Sequence, residues 1–217
     1  VPVLSLYGAT KKPTPATLAQ HRIDILVFDI QDIGVRYYTY ISTMALAMQA
    51  AAAAGIPFLV LDRPNPLGGN DVAGFMLQPA LRSFVGQVAI PQVHGLTVGE
   101  LARLIKGARL LPGLDALVLD VVAVSGWRRD MHWPDTGLAW RPTSPNIATF
   151  ATAHAYAGTG LFEATEASDG RGTREPFLRL GAPWCDADRL VAQLSGADLP
   201  GVRFMPDRFV PSPIPAM

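Results

Sequence analysis

Apolar runs alternate with a helical pattern in the first half of the sequence. Apolar β-forming residues dominate positions 23–29, 57–62 and 116–124, and continuous runs of this kind are typical of buried parallel strands. Residues 40–54 lie between the first two runs, are rich in Ala, Met and Leu, and end at Gly55, which predicts a helix with a glycine stop. The strand–helix–strand order predicts a right-handed βαβ unit.

Three further helices are predicted from residues that can cap a helix N-terminus. Thr and Asp side chains accept hydrogen bonds from the free amides of the first turn, and Pro fits the first helical position. Thr97 and Glu100 have the spacing of a capping box. The predicted helices run from residue 15 to about 20 after Thr14, from 98 to about 106 after Thr97, and from 187 to about 195 after Asp186.

The second half of the sequence is richer in loops. Residues 126–147 hold three Trp and three Pro and are predicted to be irregular. A short helix is predicted at 148–157, and strands are predicted at 3–7 and 202–209. The predicted fold class is therefore α/β, with its clearer layer before about residue 125.

Composition and charge exclude several classes of function. The 217 residues carry 18 basic and 18 acidic side chains, so no basic field is available to hold nucleic acid. The longest apolar helical stretch, residues 44–54, is too short to span a bilayer. The single cysteine, Cys185, cannot form an internal disulfide.

Two carboxylates follow the first predicted strand. Asp29 and Asp32 come directly after the apolar run, and Gly34, Arg36 and Tyr38 come next. Ligands bind at the carboxyl ends of strands in open α/β sheets, so this block indicates a site for a small polar molecule. The carboxylates could act in acid–base catalysis or grip sugar hydroxyls. Equally, Asp32 could pair with Arg36 and cap the following turn.

A second polar group follows the next predicted strand. Asp62, Arg63 and Asn65 would lie on the same edge as Asp29 if the sheet is parallel, although an Asx turn explains them equally well. His94 precedes a predicted helix whose free amides can bind an anion, and it is either a proton carrier or a structural residue. The other histidines are scattered, so no metal site is predicted.

Glycines surround an arginine in the second half of the sequence. Glu163 precedes the stretch Ser168–Thr173, in which Gly170 and Gly172 flank Arg171 and let the backbone approach a ligand closely. No Lys-Ser/Thr follows these glycines, which excludes a P-loop, and no dinucleotide fingerprint is present. Asn146 follows a Trp-rich loop, whose rings could stack on sugars or fill the core.

Several sequence blocks together resemble one protein family. Their order and content are similar to those of the bacterial exo-acting β-N-acetylmuramidases of peptidoglycan recycling, formerly an uncharacterised domain family. The resemblance covers most of the chain, and its motifs are long and specific. The blocks are SLYG (5–8), VFDIQDIGVRYYTYIST (27–43), LDRPNPLGG (61–69), HGLTVGELA (94–102), SPNI (144–147), LFEATEASDGRGT (161–173) and GAPW (181–184).

The resemblance implies both a fold and an activity. It implies a Rossmann-like parallel sheet with flanking helices over residues 1–125, joined to a smaller loop-rich α/β C-terminal part over residues 126–217. The implied reaction is hydrolysis that releases non-reducing terminal N-acetylmuramic acid from muropeptide-derived sugars, with no cofactor. The implied location is periplasmic or secreted.

The implied glycosidase reaction indicates which residues are candidates for the site. Cleavage uses an acid and a second stabilising group, or the 2-acetamido group of the sugar itself, and both routes stay open. The candidate catalytic residues are Asp29, Asp32, Glu163 and Asp169. The lactyl carboxylate of muramic acid requires a cation, and the candidates are Arg36, Arg63 and Arg171. The other candidates for substrate binding are Tyr38, Asp62, Asn65, His94 and Asn146.

The sequence departs from the family pattern in three respects, one of which is Gln49, where relatives often have Glu. Relatives carry a preceding segment with a Pro-Glu-His-Gly stretch whose Glu is a candidate catalytic residue, so we expect these 217 residues to be part of a longer protein. Relatives also tend to have Glu where this chain has Asp169. The alternative function is therefore that of a catalytically impaired or truncated relative, which binds cell-wall sugars without hydrolysing them.

Overall fold

Three parallel strands form the centre of the first half of the chain, within residues 3–6 and 11–213, which the computed structural model describes. The register sets Leu26 opposite Phe58, and Phe58 opposite Leu119. Each strand is shorter than its predicted apolar run, and the predicted parallel α/β arrangement is confirmed. The strands are β1 (Leu26–Phe28), β2 (Phe58–Leu61) and β3 (Leu119–Val122), in the order β1-β2-β3.

Three helices accompany the sheet and begin or end at the predicted residues. They are α1 (Pro15–Gln20), α2 (Tyr40–Ala54) and α3 (Val98–Gly107). Thr14 accepts a hydrogen bond from the amide of Thr17, and Gly55 ends α2 with a left-handed φ of 68°. Thr97 and Glu100 form both hydrogen bonds of the capping box. In the described part of the chain, no helix is long and apolar enough to cross a bilayer.

The core lies where α2 and α3 pack on one face of the sheet. Met48 of α2 and Leu101 of α3 are 0% exposed and belong to one apolar cluster with Phe58 of β2. Burying each such side chain contributes about 1.5–3 kcal/mol to folding. On the other face, Val27 and Val122 are 51% and 57% exposed. Packing on a single face fixes the sheet, and with it the positions of the residues that follow β1 and β2.

A second compact unit begins after Thr143. The two units are Val1–Thr143 and Ser144–Met217, a later division than the one at residue 125 that the sequence suggests. Asp186 caps its last helix as predicted. Ser168 and Gly181 form an isolated antiparallel bridge. The elements of this unit are α4 (Phe150–Thr159), a 3₁₀ helix (Gly160–Ala164) and α5 (Ala187–Ser195).

Both strands predicted near the ends of the chain are wrong in the described residues. Residues 3–6 are irregular with Val3 93% exposed, and residue 7 lies outside the described residues, as does part of the SLYG block. Residues 202–209 are also irregular, and Val202 is 57% exposed. A strand must pair its amides with a neighbour, and Pro206 has no amide to offer. An apolar pattern alone was therefore insufficient to predict a strand at either end of the chain.

Candidate functional site

The carboxyl ends of β1 and β2 meet at one edge of the sheet in the first unit. Asp29 follows β1 directly, and Asp62 follows β2. Val93 forms isolated antiparallel bridges with Val35 and Ala73. These bridges hold the segment that precedes α3 against the loops that follow the two strands. Most of the polar groups predicted for the first half of the chain are therefore neighbours at this edge.

Asp29 and Arg63 form an ion pair at the surface. Arg63 donates to Asp29 Oδ1 from Nε over 2.9 Å and from Nη2 over 2.5 Å. The two side chains are 40% and 49% exposed, so solvent weakens their attraction. The pair ties together the ends of neighbouring strands, and a ligand carboxylate would have to compete with Asp29 for Arg63.

Asp32 and His94 are buried side by side, each 4% exposed. Asp32 Oδ2 accepts a hydrogen bond of 2.7 Å from the Gly34 amide and lies 3.8 Å from His94 Nε2. His94 Nδ1 accepts a hydrogen bond of 3.2 Å from the Leu96 amide. Asp32 thus caps its turn, as one interpretation of the sequence proposed, but the ionisable group beside it is His94 instead of Arg36.

Asp62 and Asn65 use their polar atoms to hold backbone segments together. Asp62 Oδ1 accepts from the Gly99 amide over 2.7 Å, and its Oδ2 accepts from the Thr97 hydroxyl over 2.9 Å. Asn65 donates to the Leu96 carbonyl and accepts from a backbone amide two residues on, each over 3.0 Å. This geometry favours the turn interpretation over substrate binding, although binding roles for both residues stay predictions.

Arg36 and Tyr38 are bound to neighbouring loops. Arg36 Nη1 donates to the Phe75 carbonyl over 2.7 Å and to the Ile90 carbonyl over 2.5 Å. Partial burial lowers the pKa of Arg36. The Tyr38 hydroxyl lies 2.7 Å from the Thr143 hydroxyl. Of the three arginines predicted to receive a carboxylate, Arg36 therefore has its cation directed at backbone carbonyls.

Two residues of this edge were missed by sequence reasoning. Arg129 Nη1 donates to the carbonyls of Gly69 and Gly95 over 3.0 and 2.9 Å. Its Nη2 donates to Glu100 Oε1 over 2.7 Å, so one guanidinium joins three segments. Gln31 is the second missed residue, and its amide nitrogen also donates to two backbone carbonyls. The sequence around each residue contains no local pattern that predicts these distant contacts.

A cavity of about 250 Å³ lies in the second unit. Three of the predicted site residues, Glu163, Asp169 and Arg171, line it together. The volume is close to the lower limit of ligand pockets, roughly 300–1,000 Å³, and suits one sugar ring better than a longer chain. The structure thus gathers three predicted site residues around one cavity.

Asp169 holds Arg171 in place at the wall of this cavity. Asp169 is 5% exposed, and its Oδ1 accepts from the amide and the Nε of Arg171 over 3.1 and 3.2 Å. Its Oδ2 lies 2.9 Å from the same Nε. Gly172 has a φ of +82°, and a Cβ there would lie 2.3 Å from the Ser212 carbonyl oxygen. Glycine is therefore required for this loop to close on the cavity lining.

Glu163 faces the arginine from another side. Its Oε1 lies 3.8 Å from Arg171 Nη1, beyond hydrogen-bond distance. Burial raises the pKa of Glu163, and the negative charge of Asp169 adds to the rise, whereas Arg171 and a hydrogen bond from Tyr156 oppose it. A carboxyl group that keeps its proton to higher pH is suited to be a general acid.

The other predicted residues of the second half have less specific surroundings. Asn146 is half-buried in a turn closed by the Ile147 amide and the Ser144 carbonyl at 3.0 Å. Trp133 is 8% exposed and contacts Trp140 edge-to-face at 5.1 Å, which favours a packing role for these rings. Among the described residues, no group of three or more His, Cys, Asp or Glu side chains could hold a metal ion.

Sequence models of one family match both halves of the chain. The model described as "Exo-beta-N-acetylmuramidase NamZ, N-terminal" matches residues 1–151, and the corresponding C-terminal model matches residues 154–215. The chain belongs to the NamZ family. The resemblance drawn from the sequence blocks is thereby confirmed, and Glu163, Asp169 and Arg171 all lie in the segment matched by the C-terminal model of the NamZ family.

Individual relatives extend the match with the NamZ family. Peptidoglycan beta-N-acetylmuramidase NamZ of Bacillus subtilis (strain 168) is 50% identical over 212 residues, which are 98% of this chain and 50% of that protein. A DUF1343 family protein of Bacteroides fragilis NCTC 9343 has a TM-score of 0.89 and 46% identity, over 94% of this chain and 53% of its own. A second DUF1343 protein of that organism has a TM-score of 0.68 and 38% identity, over 79% and 46%. The chain thus spans about half the length of these relatives.

Proposed function

We propose that this chain is part of a glycoside hydrolase that releases non-reducing terminal N-acetylmuramic acid from peptidoglycan fragments. The observation that carries the proposal is the cavity in which Glu163 and the Asp169–Arg171 pair face one another. Membership of the NamZ family and the activity named for the Bacillus subtilis relative support the choice of reaction.

Glu163 is the proton donor in this proposal. Departure of the alcohol in glycoside cleavage requires a proton on the glycosidic oxygen, and a carboxyl group supplies it most effectively when its pKa is raised. Burial raises the pKa of Glu163. Water then adds to the anomeric carbon, whether a protein carboxylate or the 2-acetamido group of the sugar assists. Both routes require the same acid.

Arg171 is the proposed partner of the lactyl carboxylate. Arg36 donates to two carbonyls and Arg63 to Asp29, so these two predicted cations are engaged elsewhere. Asp169 binds Arg171 through its backbone amide and Nε, an arrangement that directs Nη1 toward Glu163 and the cavity. Asp169 is then a positioning residue, which fixes the guanidinium without contacting the sugar.

We also propose that the protein works outside the cytoplasmic membrane. Peptidoglycan fragments are shed from the wall, so a periplasmic or secreted enzyme meets them directly. Cell fractionation of the native host, with activity on N-acetylmuramides as the marker, tests this location. Activity confined to the cytosolic fraction would contradict it.

The decisive experiment compares two substrates with the full-length protein and its Glu163→Gln variant. One substrate is p-nitrophenyl β-N-acetylmuramide, whose leaving group needs little protonation, and the other is the disaccharide N-acetylmuramyl-β-1,4-N-acetylglucosamine. If Glu163 is the acid, kcat on the disaccharide should fall by roughly 10²–10⁴-fold. The loss on the aryl glycoside should be much smaller.

Other outcomes separate the parts of the proposal. An unchanged rate on the disaccharide in the Glu163→Gln variant would remove Glu163 as the acid. Binding of the disaccharide without turnover by the unaltered protein would replace hydrolysis with sugar binding. Arg171→Gln should raise KM for muramic substrates far more than for N-acetylglucosaminyl analogues, and equal losses on both would remove Arg171 from carboxylate recognition.

A further inference from the structure

Asp32 has one carboxylate oxygen that receives no hydrogen bond from the described residues. Its Oδ2 accepts from the Gly34 amide, whereas no described residue donates to its Oδ1, although that atom is buried. A buried carboxylate oxygen without a donor costs free energy, because desolvation is not compensated. Asp32 stands at the carboxyl end of β1, where open α/β sheets bind ligands.

His94 lies beside the other carboxylate oxygen of Asp32. Because His94 Nδ1 accepts a hydrogen bond from the Leu96 amide, the proton of the neutral ring is on Nε2. That Nε2 lies 3.8 Å from Asp32 Oδ2 and, in the described structure, has no hydrogen-bond acceptor. The described polar neighbours of the Asp32 carboxylate are thus beside Oδ2, and Oδ1 is the oxygen available to a ligand.

Gln31 provides a second acceptor beside Asp32. Its Nε2 donates to the carbonyls of Asp32 and Pro64 over 2.7 and 2.9 Å, so the amide cannot rotate to exchange its oxygen for its nitrogen. Its Oε1 is buried and receives no hydrogen bond from the described residues. Gln31 and Asp32 both line a cavity of about 10 Å³, which holds one group the size of a water molecule. The lining continues to the half-exposed Arg63.

We propose that Asp32 and Gln31 form a subsite for one hydroxyl or amide N–H group of an uncharged sugar. The volume excludes a whole ring, so a single donor group enters while the rest of the ligand lies outside. Two acceptor oxygens exclude an anion. A neutral group that donates hydrogen bonds satisfies both conditions.

The test measures binding of a neutral sugar to the full-length protein. The probe is methyl β-N-acetylglucosaminide, followed by calorimetric titration, together with its monodeoxy analogues. The choice of sugar rests on the proposed function. The readout is binding alone, so loss of hydrolysis and loss of this subsite are distinguishable.

Asp32→Asn keeps the shape of the side chain but places an N–H₂ group where Oδ1 accepts. Affinity for the probe should fall roughly tenfold or more, because two donors would then face each other. Asp115→Asn, at an exposed surface pair, is the matched control and should stay within about twofold. One monodeoxy analogue should bind the unaltered protein roughly tenfold more weakly, yet lose nothing further in Asp32→Asn.

Several results would overturn the proposal. They are absence of probe binding by the unaltered protein, equal affinity of a folded Asp32→Asn variant, or equal affinity of all deoxy analogues. In these cases Asp32 Oδ1 serves an internal water at most. If Asp32→Asn does not fold, Gln31→Met removes the second acceptor at a half-exposed position and should abolish the same deoxy preference. Retention of that preference in Gln31→Met would also count against the subsite.

Discussion

The sheet edge of the first unit and the cavity of the second unit differ in what holds their polar side chains in place. At the sheet edge, apolar packing of α2 and α3 fixes the strands, and Asp32 and Gln31 keep acceptor atoms to which no described residue donates. At the cavity, Asp169, Arg171 and the glycines beside them are themselves the framework of the loop. At the sheet edge, a substitution that removes an acceptor atom can leave the fold intact. At the cavity, a substitution that alters function also alters the local structure of the loop.

The comparison predicts which kinds of substitution each region tolerates. In the first unit, stability resides in apolar side chains that contact no ligand. A core substitution should therefore lower the free energy of unfolding without altering the polar groups at the sheet edge of the folded protein. In the second unit, stability resides in backbone conformation and charge pairs. The following substitutions test this contrast, starting with the largest expected effect.

Leu101→Ala should cause the largest loss of stability. Leu101 is 0% exposed in the core of the first unit, and deletion of a buried Leu costs about 2–5 kcal/mol of unfolding free energy. Leu104, on the same helix, is 38% exposed, so Leu104→Ala should cost less than about 1 kcal/mol. Urea denaturation of both variants measures the difference. Equal losses would mean that α3 is not anchored by its buried face.

Gly172→Ala tests the backbone framework of the cavity. The left-handed φ of +82° costs a non-glycine residue about 1–3 kcal/mol, and the close approach of the Ser212 carbonyl adds to this. Because Ser212 lines the cavity, activity should fall as well. The measurement is thermal unfolding together with hydrolysis of the muramide.

Gly158→Ala is the matched control for that substitution. Gly158 lies in α4, and apart from the adjacent backbone of that helix no atom of the described residues is within 4 Å of the position that its Cβ would occupy. Alanine in a helix should stabilise the unit by roughly 0.5–1 kcal/mol. If Gly158→Ala and Gly172→Ala changed stability by the same amount, the loop would not depend on left-handed glycine geometry.

Removal of a helix cap should lower the free energy of unfolding by different but smaller amounts in the two units. Thr97→Ala removes both the cap of α3 and a hydrogen bond to Asp62 at a position that is 2% exposed, so it should cost about 1–2 kcal/mol. Asp186→Ala removes an exposed cap of α5 and should cost about 0.5–1 kcal/mol. Chemical denaturation compares the two. A larger loss for Asp186→Ala would contradict the assignment of the stronger cap to the core of the first unit.

The titration of Glu163 should respond in opposite directions to its two charged neighbours. Arg171 lowers the pKa of Glu163, so Arg171→Gln should raise that pKa; Asp169 raises it, so Asp169→Asn should lower it. Activity that needs protonated Glu163 should fall as pH rises through its raised pKa. Carbon-13 NMR of the labelled carboxyl group measures the titration without requiring turnover. Shifts in the same direction would mean that neither charge acts on Glu163 directly.

Elements governed by neighbouring residues were the ones that the sequence predicted well. The bounds of α1, α2 and α3 follow from Thr14, Gly55 and the Thr97–Glu100 box, since each signal acts within one turn. The strand predicted at 202–209 fails because pairing depends on a distant partner, which no local pattern encodes. Regular structure was therefore predictable where its cause was local.

The same distinction explains the candidate site. Glu163, Asp169 and Arg171 lie within nine residues of sequence, and their grouping could be predicted because the glycine-rich turn folds them together. Asp62 was ambiguous because an Asx turn and a ligand-binding carboxylate look identical in sequence, and only its bonds to Thr97 and Gly99 favour the turn. The contacts of Arg129 reach carbonyls 60 and 34 positions away, so they were beyond prediction.

The reach of Arg129 has a consequence for the order in which the protein acquires its shape during synthesis. The loops at Gly69 and Gly95 leave the ribosome well before residue 129 does, yet the carbonyls of both loops accept hydrogen bonds from its guanidinium. Domains form from the N-terminus as the chain emerges. The hydrogen bonds that join these two loops at the sheet edge can therefore form only after the segment beyond β3 has been translated.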